Sequence, residues 1–153
     1  MKVVIASDHA GLQLKEEVVR VVREMGETVE DLGVANGESV DYPDYGIKVA
    51  EAVADGKADR GILVCGTGIG MCIVANKVAG IRAALCHDLF TARMSRMHND
   101  ANILVLAGRV IGPGLAAEMV KEWLTTPFEG GRHQKRLDKI KDIEEKVRKS
   151  CSN

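Results

Sequence analysis

The chain has 153 residues, 46% of them hydrophobic, and 21 basic against 22 acidic side chains leave a formal net charge of -1. That size fits one domain with a real core, and the charge balance excludes the basic field of a nucleic-acid binder or a polycationic membrane binder. No run reaches the roughly 18 to 20 apolar residues of a membrane span, so the expectation is a cytoplasmic protein with neither membrane nor nucleic acid as partner. The amino terminus enters a strand-like KVVIAS in place of a signal-peptide core.

In chain order, short β-branched runs alternate with longer segments of helical period. KVVIAS is followed by a helix from about Gly11 to Met25, where Leu14, Val18, Val21, Val22 and Met25 keep the i, i+3, i+4 spacing of a buried stripe. ETVEDL precedes a helix from about Asp44 to Ala54, and GILVC, GIRAALC and NILVLA are each followed by a helix. Apolar strands separated by helices predict a parallel sheet covered on both faces with right-handed crossovers. The fold class is therefore α/β, a three-layer, doubly wound, five-stranded parallel sheet of Rossmann-like or flavodoxin-like order, with the flavodoxin-like 2-1-3-4-5 as the working topology.

One domain should span residues 1–153, ending in an amphipathic helix over about 129–149. Leu137, Ile140, Ile143 and Val147 share one face of that helix. Asp142 with Lys146, Glu144 with Arg148 and Glu145 with Lys149 stand at ion-pairing i,i+4 spacing. Pro127, Gly130 and Gly131 separate this helix from the one before, so it can extend onto a partner.

In an open parallel sheet, ligands bind beyond the carboxyl ends of the strands, where strand order reverses. SDHAG puts Asp8 and His9 after the first strand, and CGTGIG puts Cys65, Gly66, Thr67, Gly68 and Gly70 after the third. The glycines admit close backbone approach, and the loop opens a helix whose first amides lack internal partners, an arrangement suited to an anion. A helix amino terminus also favours the thiolate of a nearby cysteine, which makes Cys65 a candidate base or nucleophile. Asp8 also reads as an ordinary N-cap. No GxxxxGK[ST] is present, and GxGxG after the third strand is not the dinucleotide fingerprint, although Asp88 lies about 20 residues on. Cys72 and Cys86, in apolar surroundings, read as small core residues. The four cysteines, with Cys151 the last, form no CxxC pair and no zinc-finger spacing.

SDHAG, DYPDY, CGTGIG, SRMHND and EGGRHQKR, in this order and spacing, resemble the type B ribose-5-phosphate isomerases and their sugar-phosphate isomerase relatives, over about residues 2–146. The resemblance implies interconversion of an aldose 5-phosphate and its ketose through an enediolate, in the pentose phosphate pathway, with no metal or organic cofactor. It implies Cys65 as the base that moves the proton between C2 and C1. Some members use a glutamate in the glycine loop, where this chain has Ile69, so only the thiolate version fits. The loop amides and Thr67 would hold the enediolate oxygen, Asp8 would hydrogen-bond the sugar hydroxyls and help shuttle protons, and His98 would open the furanose ring. His9, Arg132 and Arg136 resemble the phosphate ligands, with Asn99 and Arg109 near the substrate and Tyr42 a weaker candidate. Two alternatives stay open: an isomerase of a hexose 6-phosphate such as allose or galactose 6-phosphate, and a phosphosugar-binding module without catalysis.

Helix direction adds a further expectation. A helix over Leu89–Met97 follows a strand that ends at the catalytic edge, so its nine residues carry His98 about 14 Å away from that edge at 1.5 Å each. His87, at the strand end, is the within-chain alternative for ring opening. The resemblance favours His98 and implies a homodimer or dimer of dimers, in which a neighbouring subunit brings His98 to the site.

Overall fold

The computed structural model describes residues 1–152. Five strands form one parallel sheet: β1 (Lys2–Ser7), β2 (Thr28–Asp31), β3 (Arg60–Cys65), β4 (Ala83–Leu85) and β5 (Ile103–Ala107). The helices are α1 (Leu12–Glu24), α2 (Tyr42–Ala54), α3 (Ile69–Ala75), α4 (Leu89–Met97), α5 (Pro113–Thr125) and α6 (Arg132–Cys151). A 3-10 turn over His9–Gly11 leads into α1. Among the described residues no helix is long and apolar enough to cross a membrane.

Strand residues alternate between two cores, as the pleat demands. Val3, Ile5, Ile62, Val64, Leu104 and Leu106 join α1, α4 and α5 on one face. Val4, Ala6, Leu63, Cys65, Ile103 and Val105 join α2 and α3 on the other. These are the three expected layers, and the cysteine that closes β3 points to the α2–α3 side.

The strand order is β2-β1-β3-β5-β4, which corrects the working order 2-1-3-4-5: the last two strands exchange places. The physical reason is burial. Every residue of β5 is buried, whereas β4 is three half-buried residues suited to an edge. On its outer side, the Asn76 side chain takes the place of a sixth strand: its Oδ1 accepts from the Ala83 amide at 2.9 Å and its Nδ2 donates to the Ala83 carbonyl at 3.0 Å. The adjacency that defines the switch point is as expected, since β1 and β3 pair directly.

The stripe of α1 is buried, with Met25 at its half-buried end, but it carries a member that the apolar pattern omits. Lys15 is 1% exposed. Its amine donates to Asp31 Oδ1 at 2.8 Å and to the Val34 carbonyl at 2.6 Å, pinning the chain that leaves β2. In α6 only Leu137 of the expected face is buried; Ile140, Ile143 and Val147 are exposed. None of the three expected i,i+4 ion pairs along α6 forms, and Glu144 instead accepts from the Gly80 amide at 2.9 Å.

Candidate active site

At the carboxyl edge of the sheet, β1, β3 and β5 end side by side, with Ser7 in register with Val64 and Cys65 with Ala107. Asp8 follows at once; it is buried, and its Oδ1 accepts from the Gly11 amide at 3.0 Å, so it is the cap of the 3-10 turn. His9 Nδ1 accepts from the Val40 amide at 3.2 Å. A neutral ring bonded in this way carries its proton on Nε2, which leaves a donor for whatever lies beyond the loop.

Cys65 is 5% exposed, and its sulfur accepts from the Gly68 amide at 3.2 Å. That contact needs the tight turn of the glycine loop, with Gly68 at φ 76 in the left-handed region. A side chain there would strike Leu85. Gly70 is required for a different reason: a Cβ would fall 2.5 Å from the ring of Tyr42, so the loop rests directly on that tyrosine. Thr67, at the exposed crest, accepts from the Ile69 amide through Oγ1 at 3.3 Å. Arg109 is tied to the loop through its backbone amide and the Gly66 carbonyl at 2.9 Å, and its side chain lies against Gly66. Asp8, His9, Tyr42, Cys65, Gly66, Thr67, Gly68, Gly70 and Arg109 are thus gathered at one edge.

The remaining candidates lie at the other edge. His98 caps the carboxyl end of α4, and Asn99 follows before the chain turns into β5 at Ile103. The register from Cys65 paired with Ala107 back to Gly61 paired with Ile103 is four steps. At about 3.3 Å per step, the two edges are about 13 Å apart. Arg132 and Arg136 stand at the start of α6, one turn apart and exposed. Within one chain, then, His98, Asn99, Arg132 and Arg136 form a group of their own. His87 is exposed next to the end of β4.

This second group contains two residues that the sequence reading quoted but did not single out. The His133 ring stacks on His98, with centroids 4.2 Å apart and planes 10° from parallel. Glu129 Oε2 lies 3.2 Å from His133 Nε2 and 4.0 Å from His98 Nε2. The three donor atoms lie within 4.8 Å of one another and are the group that could hold a metal ion among the described residues. Burial, followed by the neighbouring His98 and Arg132, holds the His133 imidazole below its ordinary pKa. A signal for His133 was present, because it stands four residues before Leu137, on the face of α6 that is buried.

The other cysteines separate by environment. Burial pushes the Cys72 and Cys86 thiols above their ordinary pKa; Cys86 is buried, Cys72 half-buried and Cys151 exposed.

The family model described as Ribose/Galactose Isomerase matches residues 3–140. The chain is 48% identical to the ribose-5-phosphate isomerase B of Escherichia coli over 95% of its own length and 97% of the relative's. It is 47% identical to the D-erythrulose-4-phosphate isomerase of Pectobacterium atrosepticum, over 92% and 93%. Its structure resembles that of the Clostridium thermocellum ribose-5-phosphate isomerase B, with a TM-score of 0.95 and 55% identity over 96% of this chain and 99% of that one. With a cysteine and a glycine loop at the switch point of a parallel sheet, and a match running nearly from end to end, this chain belongs to the ribose/galactose isomerase family.

Proposed function

We propose that this protein is an aldose–ketose isomerase that interconverts ribose 5-phosphate and ribulose 5-phosphate through an enediolate, as a step of pentose phosphate metabolism in the cytoplasm. The observation that carries the reading is the placement of the Cys65 sulfur beneath an amide of the glycine loop, on the strand whose Val64 carbonyl accepts from the Asp8 amide, in a chain that matches enzymes of this name over 95% of its length.

In the proposed reaction the Cys65 thiolate takes the proton from C2 of the open-chain aldose. The electron pair moves into the C1 carbonyl to give the enediolate; Asp8 relays the proton of the C2 hydroxyl to O1, and the same thiol returns its proton to C1 as the C2 carbonyl forms. A proton alpha to a carbonyl is a weak acid, so the barrier falls chiefly by stabilising the oxygen that gains charge. One aligned donor of this kind contributes about 10²- to 10³-fold, and general acid–base catalysis about 10²- to 10⁴-fold. The amides of Gly66 and Gly70 and the Thr67 hydroxyl are the donors assigned to that oxygen, while the Gly68 amide holds the Cys65 sulfur. Asp8 and Asn99 would bind sugar hydroxyls, His98 would open the furanose, and His9, Arg109, Arg132 and Arg136 would hold the phosphate. Guanidinium forks suit a phosphate in geometry as well as charge, and the Tyr42 ring closes the floor of the loop.

This assignment requires two chains, because the His98 group and the Cys65 group stand at opposite edges of one sheet. We propose a homodimer with shared active sites. The apolar face of α6 supports it: the exposed Ile140, Ile143 and Val147, with the buried Leu137, border an open groove of about 830 Å³ together with Ile81 and Ala84. A second copy covering that face would seat the carboxyl-terminal helix on its partner and bring the two groups together.

The near-equal identities to a pentose and a tetrose phosphate isomerase favour a second reading, in which the sugar is of another length. The test is turnover of ribose 5-phosphate beside erythrulose 4-phosphate, allose 6-phosphate and galactose 6-phosphate, followed by product formation. The expected result is the highest kcat/KM for ribose 5-phosphate. A higher value for another sugar moves the substrate, and no turnover of any leaves a binding module.

A further inference from the structure

We propose that His98, Glu129 and His133 form a site for one divalent transition-metal ion of the zinc class, and that its occupancy removes His98 from acid–base work. The donor set is two imidazole nitrogens and one carboxylate oxygen. Zinc accepts this set with a coordination position left open, whereas calcium and magnesium favour oxygen ligands.

The ligands come from three places that the fold holds together. His98 is fixed by its amide to the Met94 carbonyl at 2.9 Å, Glu129 by its amide to the Met97 carbonyl at 3.1 Å, and His133 by its amide to the Gly130 carbonyl at 3.0 Å. Ligand atoms of a tetrahedral site with bonds of about 2.0 to 2.1 Å lie roughly 3.3 Å apart. Glu129 and His133 already meet that spacing at 3.2 Å, and the Glu129 contact to His98 is longer at 4.0 Å.

The near-parallel rings place the two nitrogen lone pairs side by side, so one imidazole must turn to point into the shared space. His98 is the one free to do so. Its side chain is 37% exposed, whereas that of His133 is 4% exposed and held on the buried face of α6. Arg132, with Nε 3.5 Å from His133 Nε2, and Arg136 oppose a dication, so the site is weaker than a structural zinc centre and reversible by chelation.

The consequence for activity rests on the proposed function; the binding itself does not. The test uses the full chain in a Cys151→Ser background, which removes the exposed thiol, after treatment with EDTA and desalting. Calorimetric titration with Zn²⁺ should show one ion per chain. Glu129→Gln and His133→Gln should each raise the Kd more than about tenfold, since even outer-shell changes cost tenfold or more, while His87→Gln should leave it unchanged. Zn²⁺ should inhibit turnover of ribose 5-phosphate, EDTA should restore it, and inhibition of Glu129→Gln should need correspondingly more metal. An absent isotherm, or a Kd unchanged in Glu129→Gln, overturns the site; should His133→Gln fail to fold, the exposed carboxylate of Glu129 decides alone. The expected isotherm without turnover of any phosphosugar upholds the metal site and sinks the isomerase reading instead.

Discussion

A mixture of two nearly inactive variants, Cys65→Ala and His98→Ala, should regain about a quarter of parental turnover when unfolded and refolded together. The reason is distance. Four strand steps of about 3.3 Å separate the level of Cys65 from that of Gly61 and Ile103, near which α4 delivers His98. A residue within its own chain would have to act across about 13 Å, far beyond hydrogen-bond reach. In random mixing half of the dimers are mixed, and in each of these one site pairs an intact Cys65 with an intact His98 from the other chain. Half of the dimers with half of their sites gives about a quarter by symmetry. The assay is ribulose 5-phosphate formation under conditions where ring opening limits turnover, with native mass spectrometry counting the mixed dimers. If mixed dimers are present and no activity returns, His98 acts in its own chain or His87 does the work, and the shared site is refuted.

Three further outcomes are expected. In a Cys151→Ser background, iodoacetamide should modify Cys65 before Cys72 and Cys86, whose thiols burial holds in the protonated form, and ribose 5-phosphate should slow it; mass spectrometry showing equal rates would contradict an activated Cys65. Gly68→Ala should cost about 2 to 5 kcal/mol, read from urea unfolding, because a left-handed alanine costs about 1 to 2 kcal/mol and an overpacked side chain about 1 to 3, here against Leu85 Cδ1. His133 has its folded pKa below the unfolded value of about 6.5, so its contribution is fully present above that pH and is lost as pH falls through the lower folded value. The urea midpoint should therefore drop on the acid side, and the drop should be smaller in His133→Gln.

The alternation of strands and helices was legible because a buried parallel strand and an amphipathic helix have different periods, and the helix expected over about Leu89 to Met97 is α4. The exchange of β4 and β5 was not, since it depends on which strand the helices of both faces cover. β5 is apolar throughout and goes inside; β4 begins after Arg82 and runs for only three residues. Lys15 escaped for a related reason. A lysine in the middle of an apolar helix reads as a solvated flank, and only the fold brings Asp31 and the Val34 carbonyl to its amine. At the site, residues in loops after strands could be read one by one, because each strand end lies at a known edge. The stack of His133 on His98 could not, as it joins α6 to the end of α4 across 35 positions of sequence.

The Asn76 side chain on the outer strand limits how copies of this chain can meet. A sheet edge with free N–H and C=O groups is a template on which another strand can grow, and such growth leads to fibres. Asn76 already occupies the outward amide and carbonyl of Ala83, and at the far edge β2 is only four residues long and ends in Glu30 and Asp31. Neither edge offers a continuous backbone ladder to a newcomer, so the helical surfaces are what the proposed association of copies would have to use, a contact that can close instead of propagating.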